Sequence, residues 1–131
     1  MKSPLQKLPV YKKAVELYTL SRKLTSYITH NKELNELYMA TDPSEQDLEI
    51  MIVESLGLAP SIALVQTARE ESKRQYYINK LKHAITKLNY RLQAVKSRNH
   101  RDHDYLNLFK RELQHFQLLL QQWSLSVLHK N

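Results

Sequence analysis

One segment of the chain concentrates cationic side chains and contains no anionic ones. Ammonium and guanidinium groups bind phosphate oxygens through charge-assisted hydrogen bonds. A dense cationic segment therefore predicts a surface for an anionic partner. Between Ser72 and Arg101 there is no Asp or Glu, and the nine basic residues are Lys73, Arg74, Lys80, Lys82, Lys87, Arg91, Lys96, Arg98 and Arg101.

The spacing of these cations predicts that several of them share one face of a helix. Residues seven apart differ by only about 20° around a helix with 3.6 residues per turn. The predicted basic stripe lies about 100° from the apolar seam of the same helix. Its members are Lys73, Lys80, Lys87, Arg91 and Arg98.

Aromatic and imidazole rings occupy the neighbouring strip of this predicted helix. Tyr76, His83 and Tyr90 are also seven residues apart, so flat rings would lie beside the cations. Proteins that bind single-stranded nucleic acids combine cations with stacking rings in this way. The residues predicted to contact nucleic acid are Lys73, Arg74, Lys80, His83, Lys87, Arg91, Arg98 and Arg101.

A second interpretation of the basic helix remains open. It could be a solvated face that only keeps the protein soluble. Residues 41–70 carry one basic and six acidic side chains, so an antiparallel neighbour could also neutralise the cations along its flank. On that interpretation the protein is an interaction scaffold without affinity for nucleic acid.

The residue content argues against catalysis and against a bound metal. A single glycine, Gly57, cannot form a glycine-rich phosphate loop, and the absence of cysteine excludes thiol chemistry. Glu112 and His115 form one Glu-x-x-His pair, whereas a di-iron bundle needs two such pairs and two further glutamates. The cluster at 100–104 contains Arg101, which would repel a cation. We predict no catalytic residue, no metal site and no cofactor.

Apolar residues form four predicted seams, three of them with alternating three- and four-residue steps, and they predict amphipathic helices. Pro9 suits the first position of a helix, and Ser44 to Asp47 resembles a capping box. A second possible capping box begins at Ser72. Pro60 predicts a kink near Leu56 because proline lacks the backbone N–H. The chain is predicted to be one domain over 1–131, with helices at about 9–30, 44–70, 72–97 and 103–129.

Four helices of this length predict an all-α protein, an up-down-up-down antiparallel four-helix bundle. Trp123 lies on the seam of the last helix and is predicted to anchor the core. Apolar residues that lie off the seams predict a further buried face, and therefore a homo-oligomer. They are Tyr18, Leu20, Leu118, Leu119, Leu125 and Leu128.

The location of the protein is expected to be cytoplasmic, without membrane contact. The N-terminal residues 1–5 lack the apolar core of a secretory signal. No apolar stretch is expected to approach the roughly 20 residues that a membrane helix needs.

A longer pattern runs through three of the predicted helices. It comprises Tyr11–Ala14 and Leu17; Ser72–Arg74, Tyr77, Ile78, Leu81, Ala84, Leu88, Tyr90–Leu92, Ala94 and Val95; and Tyr105, Phe109, Glu112, Leu113, Phe116, Leu120 and Trp123. This pattern resembles a bacterial four-helix-bundle superfamily. One branch is encoded in intervening sequences of large-subunit ribosomal RNA genes, and the other is the accessory variability determinant of diversity-generating retroelements.

The accessory determinant is the nearer branch. The segment from Pro60 to Ala63 lacks the Asn, Glu and Gly that follow Pro-Ser in the ribosomal-RNA-associated branch. Gln121 and Gln122 replace glycines that often precede the terminal tryptophan of the accessory proteins, so helix packing there is expected to differ.

The resemblance implies an assembly and a partner. Family members form pentameric rings or barrels of bundles, and the accessory protein is a basic, non-enzymatic factor that binds nucleic acid and a reverse transcriptase. Five aligned basic stripes would act as one multivalent surface. We therefore expect an oligomeric accessory protein that binds RNA or DNA through phosphates. The alternative is an oligomeric protein-interaction scaffold of the same family.

Overall fold

Helices make up most of the chain that the structure describes. The structure is a computed structural model, and it describes residues 3–30, 36–37, 42–99 and 101–128. No strand occurs within these ranges, so the all-α expectation is confirmed. The helices are α1 (Pro4–Lys7), α2 (Pro9–Thr29), α3 (Pro43–Leu56), α4 (Leu58–Thr67), α5 (Glu71–Arg98) and α6 (His103–Leu128).

The start of α3 differs from the predicted one. Asp42 is the N-cap, and its carboxylate accepts hydrogen bonds from the backbone N–H groups of Ser44 at 2.8 Å and Glu45 at 3.2 Å. Pro43 occupies the first helical position. The capping box predicted from Ser44 to Asp47 is therefore wrong. Asp47 lies a turn inside the helix, where its side chain is buried.

Two other helix starts also bear on the predictions. Pro9 opens α2 at the first helical position, as predicted. The capping box predicted at Ser72 is wrong because α5 starts earlier, with Glu70 at its N-cap and no side-chain cap. The short α1 was not predicted. A capping box stabilises its N-terminus. The backbone N–H of Ser3 donates to Oε1 of Gln6 at 2.9 Å, and the backbone N–H of Gln6 donates to Oγ of Ser3 at 3.3 Å.

The predicted kink is a break between two helices. Helix α3 ends at Leu56 and α4 begins at Leu58, with Gly57 between them. Gly57 has φ −77° and ψ −12°, a conformation open to any residue, so glycine is not what causes the break. Pro60 accounts for it, because Pro60 has no N–H to donate to the carbonyl of Leu56.

The long helices surround a shared core, as in a helical bundle. Helix α2 packs against α3, α4 and α6, and α5 packs against the same three helices. Each helix from α2 to α6 also contributes buried apolar side chains to the core. Among the largest fully buried ones are Leu17, Met51, Ile78, Phe109 and Phe116.

The predicted seams correspond closely to the buried faces, with three exceptions. In the second predicted helix, Leu56 is 52% exposed. All six predicted seam residues of α5 are buried. In α2 the last seam residue, Ile28, is only partly buried. In α6 Trp123 contacts the core but is only partly buried, and Ser124 occupies the buried position beside it. The anchor role predicted for Trp123 is thus a partial one.

The segment Pro43–Thr67, which contains α3 and α4, is long and apolar enough to cross a membrane by length and composition alone. This overturns the expectation that no stretch of the chain approaches that length. Helices in the cores of soluble proteins share the same property. In this fold only 39% of the apolar window is buried, and Val53, Leu56 and Leu64 face outward.

Candidate nucleic-acid interface

Helix α5 presents a continuous strip of exposed rings and cations, which we call the α5 strip: Tyr76, Lys80, His83, Lys87 and Tyr90. The steps along it alternate between four and three residues, so the five side chains share one side of the helix. At a rise of 1.5 Å per residue the strip is about 21 Å long. It lies opposite the buried seam of α5.

The two tyrosines of the α5 strip lie beside cations. Tyr76 is 58% exposed, and the Nζ of Lys80 lies over its ring, 5.8 Å from the centroid. Tyr90 is 68% exposed, and the Cζ of Arg91 lies 5.4 Å from its ring centroid. The partly buried Tyr77 contacts Tyr76 edge-on, with the ring centroids 5.3 Å apart. These contacts hold both rings at the surface next to positive charge.

Three of the predicted contacts on α5 have no acidic partner within the part of the chain that the structure describes. Lys73, Lys80 and His83 are exposed, and none of them forms an ion pair there. Lys73 lies one turn before Tyr76, so it extends the positive surface toward the start of the helix. Lys73 and Lys80 are therefore free to bind external anions.

Arg91 and Arg98 share a single buried carboxylate instead. The Oδ1 of Asp47 accepts a hydrogen bond from Nη1 of Arg91 at 2.9 Å, and its Oδ2 accepts one from Nη1 of Arg98 at 2.5 Å. The Asp47 side chain is 6% exposed, whereas the arginines are 36% and 46% exposed. This Asp47 cluster joins α3 to α5. The arginines are therefore engaged inside the protein, although part of each still reaches solvent.

Lys87 has an acidic neighbour as well, but a weaker one. Its Nζ lies 3.4 Å from Oε1 of Glu54, and the lysine side chain is 61% exposed. Exposed pairs of this kind contribute about 0–1 kcal/mol and break readily. The flank neutralisation considered from the sequence thus occurs at Lys87 and in the Asp47 cluster.

Arg74 and Arg101 differ in their surroundings. Nη1 of Arg74 donates to the backbone carbonyls of Ala68 at 3.2 Å and Arg69 at 2.9 Å, just after the end of α4. A cation there stabilises the carbonyls that a helix end leaves unpaired. Arg101 is exposed in the turn between α5 and α6, at the far end of α5 from Lys73. Arg74 thus has a structural role, whereas Arg101 is open to solvent.

Comparison with known proteins finds no relative of this chain. No family model, no curated protein and no solved structure matches it. The link to the four-helix-bundle superfamily rests on the sequence pattern alone.

The main residue of this surface that the sequence analysis did not identify is Asp47, the carboxylate that binds Arg91 and Arg98. It was assigned to a helix cap because it follows Ser44 by three residues. One signal could have revealed its position: Asp47 lies one turn before the seam residue Met51, at the edge of the face that α3 buries. An acid at that edge, opposite an arginine-rich helix, indicates an ion pair between helices.

The Glu-x-x-His pair belongs to a different polar contact. Glu112 accepts a hydrogen bond of 2.7 Å from the Nζ of Lys13, which also lies 2.7 Å from Glu16. Burial of the ammonium group tends to lower the pKa of Lys13, but the hydrogen bonds to Glu112 and Glu16 outweigh it and raise this pKa above its usual 10.5. His115 is exposed. Glu112 thus serves to join α6 to α2.

The cluster around residues 100–104 is held by hydrogen bonds of its own turn. His100 lies outside the described residues. The Nε2 of His103 lies 2.6 Å from the carbonyl oxygen of Asn99, and Asp102 accepts from the Asn99 side-chain amide at 3.0 Å. Across the described ranges, no group of three or more His, Asp or Glu side chains is arranged to hold a metal ion.

Proposed function

We propose that this protein is a non-enzymatic, oligomeric accessory protein that binds RNA or DNA through phosphate contacts. The observation that carries this proposal is the exposed surface of α5. There Lys73, Lys80 and His83 have no acidic partner in the described chain, and two exposed tyrosines lie beside cations. Phosphate contacts of this kind give affinity with little base specificity.

The partner that we propose for this activity is a reverse transcriptase of the diversity-generating type, in the cytoplasm. The support is the resemblance in sequence to the accessory variability determinant. A basic protein beside a polymerase would hold template or product strands by charge, which requires no catalytic group of its own.

The proposed architecture is an up-down-up-down bundle that assembles into a ring. Ion pairs between α3 and α5 support antiparallel neighbours, because Asp47 pairs with Arg98 while the later Glu54 pairs with the earlier Lys87. Exposed leucines support self-association: Leu118 is 57% exposed and Leu125 63% exposed on the same face of α6. The resemblance puts the number of subunits at five.

The proposal predicts a steep dependence of binding on salt. Each lysine or arginine that contacts a phosphate releases condensed counterions, so log K falls linearly with log salt, by about 0.7–0.9 per contact. The measurement is fluorescence anisotropy of labelled RNA and DNA between roughly 50 and 200 mM salt, together with the mass from light scattering. Binding at 50 mM that weakens at least tenfold over this range is expected. Failure to bind at 50 mM would contradict the proposal.

The alternative function, a protein-interaction scaffold, is favoured by the acidic partners of α5. Arg91, Arg98 and Lys87 all contact carboxylates of α3, so part of the basic surface serves the fold. A scaffold predicts an oligomer with a mass several times 15.5 kDa that binds no nucleic acid at low salt. The same sample distinguishes the two functions.

Self-association is expected to depend on the outer face of α6. The double variant Leu118→Gln/Leu125→Gln removes two exposed apolar side chains without touching the core. We expect the mass of this variant, measured by light scattering at a protein concentration of about 10 μM, to fall from that of the oligomer toward that of a single chain. The matched control is His115→Ala/Gln117→Ala, two exposed polar residues of the same helix that lie to either side of this face. An unchanged mass in the leucine variant would place the interface elsewhere.

A further inference from the structure

We propose that the α5 strip selects single-stranded over double-stranded nucleic acid, by stacking unpaired bases on Tyr76 and Tyr90. This inference rests on the proposed function and adds the kind of strand that the surface recognises. The cations alone would bind any polyphosphate, whether the bases are paired or not. The rings introduce the preference, because base faces are accessible only in an unpaired strand.

The exposure of the two rings is the first argument. Tyr76 and Tyr90 are 58% and 68% exposed, the latter the most exposed of the large apolar side chains that the structure describes. Each ring has two faces, and the neighbouring cation lies over one of them. The core does not require these rings, since the buried seam of α5 lies on the other side of the helix.

The arrangement of rings and cations along the helix is the second argument. From Tyr76 to Tyr90 the side chains follow the order ring, cation, imidazole, cation, ring, and each lies one helical turn after the one before it. A strand following this line would meet Lys80 and Lys87 between the two stacking positions. The span of about 21 Å corresponds to roughly six nucleotides at the 3.4 Å spacing of stacked bases. One strip can therefore hold both ends of a short single strand.

The contacts around Tyr76 supply the third argument. Stacking costs less when the ring is already fixed, because fewer rotamers are lost on binding. Tyr77 fixes the edge of Tyr76 with an interplanar angle of 72°, and Lys80 covers one face. The cation that fixes the ring is also placed to contact the phosphate of a stacked nucleotide.

The test compares Tyr76→Ala/Tyr90→Ala with the wild-type protein on three probes at about 50 mM salt: a 12-nucleotide single-stranded RNA, its DNA counterpart and the DNA duplex. Loss of a stacking ring weakens binding by about five- to 150-fold. We expect the double variant to lose at least 20-fold in affinity for both single strands and less than twofold for the duplex. RNA and DNA are expected to behave alike, because every base has a π-face.

Two controls separate stacking from other effects. Tyr76→Phe/Tyr90→Phe keeps the rings and should bind both single strands within twofold of wild type. Tyr27→Ala removes a tyrosine of similar exposure, 51%, from α2 and should leave binding unchanged. Thermal unfolding by circular dichroism confirms that each variant is folded.

The possible results distinguish failure of this inference from failure of the proposed nucleic-acid binding. Equal weakening on single strands and duplex, or no weakening on either, would overturn the inference while nucleic-acid binding stands. Binding by wild type to none of the three probes would overturn both. Selective loss of single-strand binding in the alanine variant, together with normal binding by the phenylalanine variant, establishes the α5 strip as a stacking surface.

Discussion

Replacement of Asp47 by Asn is expected to lower the stability of the fold and raise the affinity for nucleic acid at the same time. Asp47 is the buried anion that holds Arg91 and Arg98 against α3. Asparagine has nearly the same shape but no charge, so the variant removes the electrostatic contact and little else. Opposite signs of the two effects make this variant informative.

The stability effect follows from two charge-assisted hydrogen bonds at a buried site. Hydrogen bonds to charged groups contribute about 1.5–3 kcal/mol each, and loss of one partner of a buried pair costs about 3–5 kcal/mol. Arg91 and Arg98 are 36% and 46% exposed and can be hydrated after the change, which reduces the cost. We expect a loss of about 2–3 kcal/mol, or roughly 10 °C in the thermal midpoint at fixed protein concentration.

The affinity effect follows from the release of the same two arginines. Without the carboxylate, both guanidinium groups can bind phosphate, and each new contact steepens the slope of log K against log salt by about one. We expect about tenfold tighter binding to RNA or DNA at 50 mM salt, measured by fluorescence anisotropy. The matched control is Glu49→Gln, which removes one charge from the same helix at a partly exposed site. Equal gains in both variants would mean that only net charge matters and that Arg91 and Arg98 serve the fold alone.

Asp47 also shows how far the sequence could predict this structure. Apolar spacing identified the long helices and six of the seven buried residues of α5, because burial of an apolar stripe imposes its period on the sequence. The break at Gly57 followed from a proline, a local rule. What spacing could not show is which side chains meet across two helices, since that depends on the rotation and register of each helix. The Asp47 cluster is a contact of this kind.

The same limit applies to the predicted site. The sequence predicted eight residues in one binding surface, and periodicity grouped five of them as a stripe beside the seam of α5: Lys73, Lys80, Lys87, Arg91 and Arg98. Arg74 reaches the carbonyls after α4, and Arg91 and Arg98 reach Asp47. Long side chains near the edge of a helix can turn toward a neighbouring helix, and periodicity reports only the direction of the Cβ atom. Lys73, Lys80 and His83 form no ion pair in the described chain and remain exposed.

Reversal of the two free lysines is expected to have the largest effect on binding. In Lys73→Glu/Lys80→Glu, two cations of the α5 surface become anions, and one of them lies beside the exposed ring of Tyr76. Both positions are exposed, so the thermal midpoint should stay within about 2 °C of wild type. We expect at least a 100-fold loss of affinity for RNA and DNA at 50 mM salt, with a salt slope lower by about two.

Arg91 is unsuitable for this experiment even though it was predicted to belong to the same surface. Arg91→Glu would place a second carboxylate against the buried Asp47, so a loss of binding could not be separated from a loss of folding. The choice of Lys73 and Lys80 avoids that ambiguity, because neither lysine has an acidic partner in the part of the chain that the structure describes.

The control for the lysine variant must match its charge. Lys110→Glu/Arg111→Glu reverses two exposed cations of α6, and since each reversal removes two charges, both variants change the net charge from +7 to +3. A long-range field would weaken binding equally in the two variants, whereas direct phosphate contact weakens it only in the α5 variant. A tenfold or greater difference between them would locate the anion on α5. Equal losses would instead leave nucleic-acid binding as a property of the whole charged surface, with no particular helix responsible.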